Sequence, residues 1–222
     1  MSLAPRLVLA SALIGLGVPS RVAGQGTGVP VRNAGVIQGI SLGVDLGFGQ
    51  TRRSSGQRDD KSRAISGSLS AGFGPIGGSV SLSRLKVTPG QGQSSMVTVG
   101  AATAELSIIG GPLIPLKIVW QAGYARSLGT GASPPWRGSL GLGAALTIPA
   151  AVFSIRPWIA PRVDYFGRPA GGARVKPSLS AGIDLGLLNG LGVRVGYDNR
   201  LGWSDVAERA AGVSLGVRYQ FR

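Results

Sequence analysis

Val213-Ser-Leu-Gly-Val-Arg-Tyr-Gln-Phe221 alternates without a break: Val213, Leu215, Val217, Tyr219 and Phe221 fall on one side, Ser214, Gly216, Arg218 and Gln220 on the other. A period of two is that of a β-strand, whose successive side chains leave opposite faces of the sheet. One face is wholly apolar and ends in aromatics; the other is small or charged. A water-facing strand face ordinarily carries Thr, Lys, Glu or Arg, whereas glycine and serine cover little surface and fit a narrow lumen. The stretch therefore reads as a strand with one side in hydrocarbon and the other inside a closed barrel. Closure is required there, because a chain crossing lipid must pair every backbone N–H and C=O internally.

The same alternation recurs upstream. Ile40, Leu42, Val44, Leu46 and Phe48 stand against Gly43, Asp45 and Gly47, and Ile65, Leu69, Ala71 and Phe73 against Ser66, Ser68 and Ser70. Further strands run through Leu116 to Tyr124, Leu140 to Ile148, Leu179 to Leu187 and Leu191 to Tyr197. Three segments fit less simply. Val80 and Leu82 are out of phase with Leu85 and Val87, which calls for a β-bulge near Ser83 and Arg84; Val97 and Val99 are out of phase with Leu106 and Ile108, which calls for another near Ala101. Pro157 and Pro161 remove two ladder donors from the segment Ile155 to Tyr165.

Connections near 75, 111, 150 and 189 are short and uncharged, while those near 51, 88, 126, 167 and 199 are longer and mostly polar. Asn189-Gly190 favours the positive φ angles of a tight hairpin turn. Strict alternation of short and long connections is the habit of an up-and-down transmembrane barrel, with short turns at the periplasm and long loops outside. Tyr124, Trp136, Phe153, Tyr165, Tyr197, Tyr219 and Phe221 lie near strand ends, where aromatic girdles belong. The expected architecture is all-β, an antiparallel barrel of ten strands; eight is the alternative if the fourth and seventh segments stand outside the wall.

The 222 residues include 38 glycines, with 43% hydrophobic and 14% charged residues. Period-2 order distinguishes this composition from low-complexity disorder. Residues 1–24 read as a secretory signal peptide: Arg6, the apolar run Leu7 to Val18, then Val22-Ala23-Gly24 as a small-residue cleavage site. The run is shorter than the roughly 20 apolar residues of a spanning helix. The barrel domain is then 25–222. With no cysteine it relies on no disulfide.

The sequence carries neither histidine nor cysteine, so neither imidazole nor thiolate is available to a catalytic site. No catalytic residue, cofactor or metal is expected; Asp59-Asp60 is too sparse for an all-oxygen site. Gly138-Ser-Leu-Gly-Leu-Gly143 alternates as strand and precedes no helix, unlike a nucleotide loop. The formal charge is +14, or +12 once Arg6 and Arg21 leave with the signal peptide. An exported chain without an interleaved basic and aromatic stripe is not expected to bind nucleic acid.

Two groups of charges stand out. Asp45, Glu105, Lys117, Arg156, Arg162, Asp164, Asp184, Arg194, Asp198 and Arg218 fall on the lumen side of their strands. They read either as a salt-bridged interior that fills the tube or as the lining of a narrow, porin-like pore favouring small anions. Arg52, Arg53, Arg58, Lys61 and Arg63 crowd the first long loop. They make either a solvated tip or a dock for lipopolysaccharide phosphates, which guanidinium groups grip two oxygens at a time.

The whole mature chain resembles small bacterial outer-membrane β-barrel proteins of the OmpA/OmpX-type superfamily, and its closing stretch is similar to their C-terminal assembly signal, with Tyr219 and Phe221 as the aromatics. That signal usually ends on the aromatic; here Arg222 follows. The resemblance implies a Gram-negative outer membrane, the barrel-insertion machinery as a partner during assembly, and outer-membrane lipid and lipopolysaccharide as surroundings. With the missing catalytic groups it suggests a non-enzymatic structural or surface-interaction role.

Overall fold

The computed structural model describes residues 39–52, 60–90, 93–111, 114–128, 136–167, 173–187, 189–200 and 209–221. The segment 1–24, read above as a signal peptide, lies outside them. Eleven strands follow in order: β1 (Gly39–Arg52), β2 (Asp60–Phe73), β3 (Ile76–Thr88), β4 (Ser95–Gly111), β5 (Ile114–Ser127), β6 (Trp136–Leu146), β7 (Ile148–Pro149), β8 (Phe153–Gly167), β9 (Ala173–Leu187), β10 (Leu191–Arg200) and β11 (Arg209–Phe221). Only Thr147 separates β6 from β7, and both pair with β8 in one register, Ala145 opposite Trp158 and Ile148 opposite Ile155. They form a single stave, so the wall has ten. Neighbours in sequence pair antiparallel, and β1 joins β11 from Ile40 opposite Phe221 to Arg52 opposite Arg209. The sheet is a closed barrel with no free edge.

The faces divide as hydrocarbon requires. Along β1, Ile40, Leu42, Val44, Leu46 and Phe48 are 45–55% exposed, whereas Ser41 and Asp45 between them are buried at 4% and 6%. In a barrel this means that the apolar side points away from the axis. A charge on that face costs about 2–4 kcal/mol at the bilayer midplane, so selection for the membrane writes itself into every second residue. The β9–β10 hairpin turns where expected: Gly190 has φ of 86°, its N–H donates to the Leu187 carbonyl (3.1 Å), and Leu191 N–H donates to Asn189 Oδ1 (3.1 Å).

The structure corrects the two expected bulges. β3 pairs with β2 without interruption from Lys61 opposite Thr88 to Phe73 opposite Ile76, and with β4 from Ile76 opposite Leu106 to Val87 opposite Ser95. With no bulge near Ser83 or Ala101, the alternation of faces continues and the hydrophobic residues change side. Leu85 and Val87 (each 1% exposed), Val97 and Val99 point inward and join Ala64 and Ala125 in a dry cluster, while Arg84 and Lys86 point out. Near its long-connection end this sector thus has an apolar interior and a charged exterior, the reverse of the arrangement along β1. The irregularities of register lie further along β4, at Ser107, Ile109 and Gly111.

β8 stands within the wall, which rules out the eight-strand alternative. Its ladder to β9 is continuous from Phe153 opposite Leu187 to Gly167 opposite Ala173. On the β6 side the ladder lapses between Gly141 opposite Arg162 and Ala144 opposite Ile159, beside Pro161, and again beside Pro157 where β6 gives way to β7. Both missing donors thus fall at one seam, and the barrel closes around it.

Candidate functional site

The lumen holds the densest polar chemistry of the described residues. All ten charged residues singled out from the sequence occupy inward positions, and most of those on β8 to β11 meet in two clusters. In the first, Asp164 is fully buried. It accepts from Arg137 Nη2 (2.6 Å), Arg162 Nε (3.3 Å) and Ser178 Oγ (2.5 Å). Arg162 also donates to Ser180 and to Asp198, and Ser180 Oγ donates to Asp198 at 2.7 Å. Arg200 lies over the Phe166 ring, 4.4 Å from its centroid, and Arg137 lies 5.6 Å from the same centroid.

The second cluster centres on Asp184, 1% exposed. Trp158 Nε1 (3.2 Å) and Arg194 Nε (3.1 Å) donate to one carboxylate oxygen, and Arg218 Nη1 lies 3.2 Å from the other. Small neighbours make this crowding possible. A Cβ at Gly182 would collide with the Trp158 ring, so glycine there lets the indole lie across the lumen. Beside the cluster, Ser41, Asp45, Ser68, Arg194 and Arg218 border a void of about 20 Å³, room for about one water. Glu105 and Lys117 are set apart on β4 and β5, where Gln121 Nε2 donates to Glu105 Oε1 at 3.3 Å. Among the described residues no three acidic side chains converge as a metal shell would require.

Arg137, Lys176 and Arg200 face the lumen too, although the sequence reading left them out of the strands. Extending the alternation by one more inward position on each strand would have found them: Ser139 to Arg137, Ser178 to Lys176, Asp198 to Arg200.

The basic group divides differently. Arg52 ends β1, and Arg53 and Arg58 lie outside the described residues. Lys61 and Arg63 belong to β2, not to a loop, and point outward. Tyr219 and Phe221 both face outward on β11, ring to edge at 5.1 Å between centroids.

No protein-family model matches the chain, and no curated protein matches it in sequence. Solved structures do. LpxR from Salmonella typhimurium superposes with a TM-score of 0.53 at 5% identity, over 82% of this chain and 100% of that one. The β domain of the Bordetella autotransporter BrkA does so with a TM-score of 0.51 at 16% identity, over 82% and 99%. Neisserial surface protein A reaches 0.41 at 14% identity, over 83% and 98%. At such identities the likeness concerns architecture alone, and that architecture is the transmembrane β-barrel of bacterial outer membranes.

Proposed function

We propose that this chain is an integral barrel of a bacterial outer membrane, exported by its signal peptide, with a plugged lumen and a non-enzymatic structural or surface-interaction role. One observation carries the reading. Inner-face residues on seven of the ten staves are shut off from solvent: Ser41, Ser66, Leu85, Val119, Asp164, Asp184 and Ser214 are 4% exposed or less, while Ser68, Ser79, Ser81 and Thr103 toward the short-turn end of β2 to β4 are half-buried. An aqueous pore leaves its lining wet; here guanidinium, indole and aliphatic groups occupy that space. Four lumenal arginines, Arg137, Arg162, Arg194 and Arg218, are engaged by Asp164, Asp184 and Asp198 rather than displayed to passing anions. The absence of histidine and cysteine from the sequence supports the non-enzymatic part. Tyr219 and Phe221 would serve recognition by the insertion machinery, and the long connections would face the outside.

Reconstitution in planar bilayers tests the reading. The protein should insert and give no openings above background. Sustained, anion-selective openings would replace it with the pore.

A further inference from the structure

Five cations point outward from neighbouring strands: Lys61 and Arg63 on β2, Arg84 and Lys86 on β3, Arg126 on β5. All six described acidic residues, Asp45, Asp60, Glu105, Asp164, Asp184 and Asp198, face inward, so none lies beside these cations. The ladder makes the cations neighbours. Arg63 is directly opposite Lys86, and Arg84 is opposite Ile65, one step further along the same face. At a comparable height Phe48, Trp136, Tyr165 and Tyr197 face outward on β1, β6, β8 and β10. Cations set side by side on the facing ladder of β2 and β3 suit a multiply charged anion better than isolated headgroup contacts.

A second observation lies immediately below. Gly67 faces outward between Val44 and Leu82, and a Cβ placed on it would meet nothing within 4 Å. With Leu42, Leu69, Val80 and, on β11, Val217 and Tyr219 these residues line an outer-face groove of about 820 Å³, within the size range of small-molecule sites. Two residues along β3 from Leu82, roughly 7 Å at strand rise, stands Arg84. An apolar groove directly beneath a cluster of cations matches an acyl chain beneath a phosphorylated headgroup.

We infer that the exterior of β1 to β5 binds one bisphosphorylated acyl lipid of lipid A chemistry, its phosphates held by Arg63, Arg84 and Lys86 and flanked by Lys61 and Arg126, with an acyl chain in the Gly67 groove that runs across β3, β2, β1 and β11. Several clustered cations favour a headgroup with two phosphomonoesters over a phosphodiester with a single charge. The site is on the outer wall and is independent of whether the lumen conducts.

Native mass spectrometry of the full chain refolded in neutral detergent tests this, with lipid A and phosphatidylglycerol as probes. Lipid A should bind one to one and more tightly than phosphatidylglycerol. The triple variant Arg63→Ala, Arg84→Ala, Lys86→Ala should weaken it about a hundredfold, a factor of about five per surface cation. Gly67→Phe, which fills the groove and keeps every cation, should weaken it about tenfold, the equivalent of two acyl methylenes left unburied. Each variant's fold is checked by its unboiled electrophoretic mobility. Equal retention of the two lipids, unchanged affinity in the triple variant, or indifference to Gly67→Phe would each overturn the proposal.

Discussion

Asp164 illustrates how a single side chain decides the character of this lumen. Its carboxylate takes two guanidinium groups and a hydroxyl while fully buried, so the cluster rests on charge balance at that point. Breaking a buried pair from one side strands the other charge. Asp164→Ala should therefore lower folding stability by about 3–5 kcal/mol, read from urea unfolding of the vesicle-inserted barrel; a loss below 1 kcal/mol would place water around these arginines. The outer face obeys another rule. Leu215, opposite Leu46 and Val195, sits within the apolar band, and Leu215→Arg should cost about 2–4 kcal/mol. Arg84→Leu should change stability by no more than about 0.5 kcal/mol, because its level of the wall is already interfacial. The charges that fill the lumen could be read from the chain because strand alternation marks a face without knowledge of partners. Which of them meet could not, since Arg162 reaches Asp198 across the width of β9.

Elements were legible in proportion to how much of them lies in hydrocarbon. β1, β6, β9, β10 and β11 alternate cleanly because lipid enforces the pattern. β3 and β4 do not, because beyond the band the favoured phase reverses: Leu85, Val87, Val97 and Val99 pack inward where bulges would have turned them to lipid. Leu85→Ala should consequently cost about 2–5 kcal/mol, the price of a cavity in a packed cluster, in the same unfolding assay; a cost under 1 kcal/mol would indicate a lipid-facing residue with nothing to vacate. Strand ends were read short for a related reason, since Lys61, Arg63, Arg137 and Arg200 look like loop when judged by polarity alone. β8 was legible despite its prolines because a strand needs full pairing only where donors exist, and Pro157 and Pro161 turn theirs to the same seam. The β9–β10 turn was legible from Asn189-Gly190. Gly190→Val should cost about 1–3 kcal/mol, because a β-branched residue is strained at positive φ and its Cβ would meet the Gln220 carbonyl.

For the whole molecule, a cylinder with an apolar outer band and a packed polar interior explains both the composition and the pairing. Glycine and serine are abundant because the interior is narrow, and all six acidic groups among the described residues face into it. The basic cluster on β2 and β3 departs from that plan, and sequence reading misses it because Lys61 and Arg63 read as loop and a bulge is expected at Arg84. The chain contains no cysteine, so single cysteines can be introduced and spin-labelled without background. The most direct measurement is a nitroxide scan of residues 40–48 on β1 and 80–87 on β3 in lipid vesicles, comparing collisions with oxygen, which concentrates in hydrocarbon, and with a water-soluble nickel complex. Oxygen accessibility should peak at 42, 44, 46, 80 and 82; positions 84 and 86 should favour the nickel complex; 83, 85 and 87 should be shielded from both. High oxygen accessibility at 85 and 87, or at the odd positions of β1, would contradict the outward placement of the apolar face and the account with it.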